Sequence, residues 1–276
     1  MTIPLIVVDA FASEPFRGNP AAVCLLPAAR GDRWMQSVAM EMNLSETAFV
    51  YPDGEHLRLR WMTPAVEVDL CGHATIAATH AIRELHALGT LPAEIAKHWN
   101  NGSIQFQSRS GQLTAESSAH GITLDFPATK VESATLPEGI TQALGLKSED
   151  LLFVGRSKFD YLLQVPSAAI VRALHPEMKQ LAQLPVRGLI VTALGDESNH
   201  DFISRFFAPG AGVDEDPVTG SAHCALAPFW APHFGRDTLF GYQASKRGGL
   251  VRMELSGSRV RLSGKAVTVS RGELLV

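Results

Sequence analysis

Apolar positions in this chain gather into short runs separated by turn residues. The first run, Ile3 to Ala10, is rich in β-branched residues and predicts a buried strand. Arg17-Gly18-Asn19-Pro20 is a turn, and Ala21 to Leu26 is a second apolar run. Trp34 to Met42 reads as a helix ending near Asn43. Thr47 to Tyr51 and Leu57 to Met62 predict strands about the turn Pro52-Asp53-Gly54. From Ala74 to Leu85 nearly every position is small or apolar, the pattern of a helix buried on all sides. Ile104 to Gln107, Gln112 to Glu116 and Ile122 to Phe126 predict short strands. Pro127 through Gly139 is polar and punctuated by prolines, the best linker, so domains are expected at 1–127 and 128–276.

The second half repeats the rhythm. Leu151 to Val154 and Tyr161 to Val165 predict strands, and Ala168 to Leu181 a helix. Gly188 to Ala193 and Phe202 to Phe207 predict strands, and Ser221 to Trp230 a second buried helix, cut short near Pro228. Four strand-like runs close the chain from Phe240 to Val276, with the C-terminal tail a candidate extra strand for the first domain. Strands outnumber helices, and each half has one long apolar helix. The expected fold is therefore α+β, with sheet wrapped round a central helix in each of two similar halves.

A self-match sharpens this picture. Arg60-Trp61-Met62-Thr63-Pro64 is followed by Val68-Asp69 and Cys71-Gly72-His73-Ala74, and Arg205-Phe206-Phe207-Ala208-Pro209 by Val213-Asp214 and Gly220-Ser221-Ala222. The arginines stand 145 residues apart and the glycines 148. That period is too long for a solenoid and predicts two domains of one design, facing each other across a cleft. Placing the three extra residues inside Glu215-Asp216-Pro217-Val218-Thr219 sets Asp216 opposite Cys71.

Composition narrows the class. The 276 residues are enough for two domains with cores of their own, and 46% hydrophobic with 19% charged residues excludes a disordered chain. The net charge of −4 is mixed along the chain, which argues against nucleic acid or an anionic membrane as partner. The opening apolar run is too short for a secretion signal, and no run approaches a membrane span. Cys24, Cys71 and Cys224 are odd in number and widely spaced, so no disulfide framework is expected and a reducing cytoplasm is the default.

Each repeat runs strand, loop, glycine, buried helix. The first helical turn leaves N–H groups unpaired at the positive end of the dipole, and a glycine there admits a ligand close to the backbone. Gly72-His73 and Gly220-Ser221 therefore form a pair of candidate pockets for the carboxylate of a small metabolite. His73 titrates near neutrality and suits a proton shuttle, or else packs or caps the helix. Asp216 lies among Asp214 and Glu215, where crowding would raise one pKa, or in an ordinary solvated acidic turn. Glu46 lies at a helix-to-strand junction, as a partly desolvated base or as a surface glutamate. Cys71, at a helix N-terminus, offers a thiolate for racemisation, but two-base chemistry wants a second thiol and Asp216 stands opposite. Neither Asp69 with His73 nor residues 214–216 with His223 have ligand spacing, so no metal is expected. No phosphate-binding glycine motif points to a nucleotide.

Several stretches together resemble the phenazine-biosynthesis PhzF-like family, of diaminopimelate-epimerase-like fold. They are Val8-Asp9-Ala10-Phe11, Gly18-Asn19-Pro20-Ala21-Ala22-Val23, Asn43-Leu44-Ser45-Glu46-Thr47-Ala48-Phe49, Thr63-Pro64 through Cys71-Gly72-His73-Ala74-Thr75, Glu215 through Ala222, and Gly248-Gly249. The resemblance implies two pseudo-symmetric domains, each a barrel-like, mostly antiparallel sheet round a central helix. It also implies an active site between them, no metal or organic cofactor, and a homodimer. It assigns proton transfer to Glu46 and maps the family's histidine, aspartate and serine onto His73, Asp216 and Ser221, the first two as catalytic partners; Ser221 is expected to bind substrate along with Asn19, Gly72 and Gly220. The implied activity is a cofactor-independent isomerase acting on a small carboxylated metabolite. A Cys71-based racemase and a non-catalytic binding scaffold are the competing readings.

Overall fold

The computed structural model describes residues 2–276. The chain divides into two compact units, one of Met1–Asp125 with Ser263–Val276 and the other of Phe126–Leu262. Both are α+β and mostly sheet.

In the first unit the strand Ile3–Ala10 lies between Asn19–Leu25 and the C-terminal strand Ala266–Leu274, antiparallel to both. Asn19–Leu25 runs parallel to Glu46–Asp53, with the helix Asp32–Met42 as the connection a parallel pair requires. That helix ends on Asn43 in the left-handed conformation (φ 49°), which asparagine tolerates, and the turn delivers Glu46 to the first position of its strand. Glu46–Asp53 then pairs with His56–Met62, and two further hairpins follow through Ser103–Ser108, Gly111–Ser118 and Gly121–Pro127. The helix Gly72–Ala87 packs against the first three strands and the C-terminal one. Residues 73–82 of it are all buried, as the continuous small and apolar run predicts.

The second unit traces the same path. Phe153–Arg156 pairs with Asp160–Gln164, which runs parallel to Gly188–Leu194, which turns back into Phe202–Ala208. Two differences from expectation have local causes. The stretch from Ala168 to Leu181 is two short helices, Ala168–Ala173 and Met178–Leu181, because Pro176 interrupts it. Conversely, Gly220–Phe234 runs straight through Pro228 and Pro232. Pro228 has no N–H for the Cys224 carbonyl one turn back, and the backbone N–H of Thr129 bonds that carbonyl instead at 2.9 Å.

The matching ladders correct the alignment of the repeat. Met62 pairs with Glu67 as Phe207 pairs with Glu215, so the three extra residues lie before Glu215, around the short 3₁₀ turn Pro209–Ala211. Cys71 then corresponds to Thr219, each the N-cap of its central helix, and not to Asp216. His73 corresponds to Ser221. Likewise Thr47 pairs with Met62 as Leu189 pairs with Phe207, which makes Gly188 the counterpart of Glu46. A Cβ on Gly188 would lie 2.5 Å from the Phe206 ring, so the second unit has no room for a side chain there.

Among the described residues no helix is long and apolar enough to cross a membrane.

Candidate active site

The first unit brings Asn19, Glu46, Cys71 and His73 together. Glu46 Oε2 stands 3.0 Å from His73 Nε2, in ion-pair range. The approach is not aligned as a hydrogen bond, and neither buried atom has another partner. On the other side of the ring, the Asn19 amide lies 3.2 Å and the Cys71 Sγ 3.5 Å from Nδ1. Asn19 and His73 are buried, and Glu46 keeps a partly open side chain.

Backbone geometry fixes these positions. Gly18 precedes Asn19 at φ +63°, and a Cβ there would sit 2.1 Å from the Ala10 carbonyl oxygen. Gly18→Ala should therefore cost about 2 kcal/mol or more in denaturant unfolding and displace the Asn19 amide. The helix Gly72–Ala87 starts at Gly72, placing His73 in its first turn, and the Thr75 N–H bonds the Cys71 carbonyl at 3.2 Å.

Burial disfavours charge on His73, yet its pKa stands well above the ordinary value. Cys71 and then Glu46 oppose burial at the ring, by charge and by hydrogen bonding. Burial and the nearby Glu46 charge push the Cys71 thiol up as well. Asn19 suits either state of the ring: a half-turn of its amide presents Oδ1 to a protonated Nδ1 or Nδ2 to a bare one.

In the second unit the loop before the helix is tied down through Thr219, Gln243 and Ser245, the last two outside every motif of the sequence. Thr219 Oγ1 donates to Asp216 Oδ2 at 2.5 Å, and the Thr219 N–H donates to the buried Gln243 Oε1 at 2.9 Å. Gln243 Nε2 donates to the Asp216 carbonyl at 2.7 Å, and Ser245 Oγ to that of Pro217 at 2.8 Å. The three carboxylates are not crowded upon one another as expected: Glu215 is turned to Arg205 and Asp214 is exposed. Gly220 is buried, and Ser221 is exposed at the head of the helix.

Two other histidines report on stability. Burial, joined at His80 by Arg83, lowers the pKa of His80 and of His223 to about 4. Their unfolded-state values lie near 6.5, so the unfolded chain binds more protons between those limits and stability falls as pH drops from about 6.5 to about 4. For His223 the full loss is on the order of 3 kcal/mol. Urea unfolding at pH 7 and pH 4.5 should show a smaller pH difference in His223→Gln than in the parent.

A duplicated α+β unit of diaminopimelate-epimerase-like fold, holding a buried carboxylate–imidazole pair, defines the class of protein. The family model described as phenazine biosynthesis-like protein (PhzC-PhzF) matches residues 8–272, and the chain belongs to that family. An uncharacterized isomerase of Halalkalibacterium halodurans is 47% identical, with 100% of both chains covered. The crystal structure of a PhzF-family phenazine biosynthesis protein from Enterococcus faecalis is 36% identical over 100% of both chains, with a TM-score of 0.91. A hydroxyproline epimerase from Agrobacterium vitis shares the fold alone, at 11% identity and TM-score 0.60 over 99% of this chain and 92% of its own. The chain is an isomerase of this family.

Proposed function

We propose that this isomerase moves a proton on a small carboxylated substrate by general acid–base catalysis, without an organic cofactor. Glu46 takes the proton from carbon and returns it. The observation that carries the reading is the 3.0 Å approach of Glu46 Oε2 to His73 Nε2, with no other hydrogen bond holding either atom. A carboxylate locked by several donors is a poor base; one facing a single imidazole keeps a lone pair for carbon. His73, with its raised proton affinity, faces Glu46 and donates toward the same place. Asn19 follows the change in His73 by turning its amide. In the second unit Asp216 is the assisting acid and the helix start at Gly220 and Ser221 a carboxylate-binding element, as the helix start at Gly72 is in the first.

Thiol chemistry at Cys71 is disfavoured, because burial raises that pKa and the equivalent residue is Thr219. The test is a screen of unsaturated and amino-acid-like carboxylic acids in deuterated water, reading deuterium at carbon by mass spectrometry. At least one compound should exchange, and Cys71→Ser should exchange it as fast as the parent. Exchange abolished by Cys71→Ser would overturn the assignment in favour of a thiol base.

A further inference from the structure

We propose that Glu46, Cys71 and His73 form a zinc site through which Zn²⁺ reversibly switches the isomerase off. The inhibition rests on the proton-transfer reading above; the binding does not. The three side chains supply a carboxylate, a thiol and an imidazole, the three ligand types zinc takes. One ligand atom from each lies within 4.8 Å of the other two. Zinc bonds of about 2.0–2.3 Å in a tetrahedron put ligand atoms roughly 3.3–3.8 Å apart. Glu46 Oε2 already stands 3.0 Å from Nε2 while Cys71 Sγ lies 3.5 Å from Nδ1, so closing the cluster round an ion on Nε2 needs the Cys71 side chain to turn toward that nitrogen.

Three further observations favour an ion here. Glu46 Oε2 and His73 Nε2 are buried and lack any aligned hydrogen-bond partner, so coordination would satisfy both. When Nε2 binds, the Asn19 amide 3.2 Å from Nδ1 is placed to orient the ring through its other nitrogen. Cys71 is the N-cap of the helix Gly72–Ala87, so the thiolate left when a metal displaces the thiol proton lies at the positive end of that helix. A thiolate and a carboxylate together cancel the two charges of Zn²⁺ inside a buried site. On binding, the thiol proton and the proton of His73 Nε2 pass to solvent, and a water completes the fourth position. The ion then occupies the Glu46 lone pair and displaces the His73 proton that the substrate needs.

Cobalt(II) is the probe, since it takes zinc sites and reports thiolate ligation by a near-ultraviolet charge-transfer band. Purified full-length protein stripped with EDTA should bind one Co²⁺ per chain, with that band and the intense visible bands of four-coordination, and Zn²⁺ should displace it. Cys71→Ala, with Cys71→Ser as second variant, should lose the thiolate band, while Cys24→Ala and Cys224→Ala keep it. No thiolate band in the parent, or a band that survives both Cys71 variants, would overturn the site. In the exchange assay Zn²⁺ should suppress the parent, EDTA should restore it, and Cys71→Ala should lose most of the sensitivity. Unchanged sensitivity in that variant would refute the switch. Metal-free Glu46→Gln tests proton transfer separately, so the two readings fail independently.

Discussion

Glu46→Gln should lower substrate-dependent deuterium exchange by about 10²–10⁴-fold, the span general acid–base catalysis commonly supplies. Glutamine has nearly the shape of glutamate and can still face His73, so the strand that begins at this position should be undisturbed. What it lacks is a lone pair basic enough to take a proton from carbon. The change also removes the Glu46 charge that, together with Cys71, opposes burial at His73, so the imidazole pKa should fall. An NMR titration of the His73 ring would detect that fall even without a known substrate. Glu46→Asp withdraws the carboxylate by one methylene and should retain part of the exchange. If Glu46→Gln exchanges at the parental rate while the His73 titration moves, the pair exists but the base is elsewhere.

Much of this architecture was legible because it rests on patterns that local physics enforces. An unbroken small and apolar run forced the Gly72–Ala87 helix to be buried on all sides, and the repeat announced the duplicated unit. The insertion was misplaced because the residues on either side of it, Val68-Asp69 and Val213-Asp214, are alike by sequence. Strand pairing, which sequence does not display, matches Glu67 to Glu215 instead. The correction makes the asymmetry of the halves concrete. Glu46 answers to Gly188, Cys71 to Thr219 and His73 to Ser221, so the second copy lacks the carboxylate, the thiol and the imidazole together.

The helix through Pro228 was missed because its compensation comes from Thr129, 95 positions before the Cys224 carbonyl that it bonds. The meeting of Asn19, Glu46, Cys71 and His73 was named in part by family resemblance alone. Their sequence positions span three elements, and only the parallel pairing of Asn19–Leu25 with Glu46–Asp53 brings the first two alongside. Gln243 carried no signal beyond being a polar residue at the end of an apolar strand.

Arg205→Met should destabilise the protein by about 3–5 kcal/mol, the cost of stripping one partner from a largely buried ion pair. Arg205 Nε and Nη2 donate to the two oxygens of Glu215 at 2.7 and 2.9 Å. Nη1 donates to the carbonyls of Leu174 and Val171 at 2.7 and 3.3 Å, at the end of the helix Ala168–Ala173. The Phe207 ring lies 4.8 Å from the guanidinium carbon. Methionine fills much of the space but leaves a carboxylate and two carbonyls without their donor. Adding Glu215→Gln removes the stranded charge and should recover part of the loss, so denaturation midpoints of the two single variants and the double variant give the coupling directly. The first copy builds the same fork, Arg60 to Glu67 at 2.7 and 2.6 Å, but turns its remaining nitrogen to Asp32 at 2.7 Å. Glu67 keeps a second cation there, Arg109 at 2.8 Å, so Arg60→Met should cost less than Arg205→Met. Glu215 adjoins Asp216, so releasing it should loosen the loop that carries the proposed acid. Exchange in Arg205→Met should therefore fall at temperatures where the protein is still folded, whereas a purely structural role would leave the folded fraction fully active.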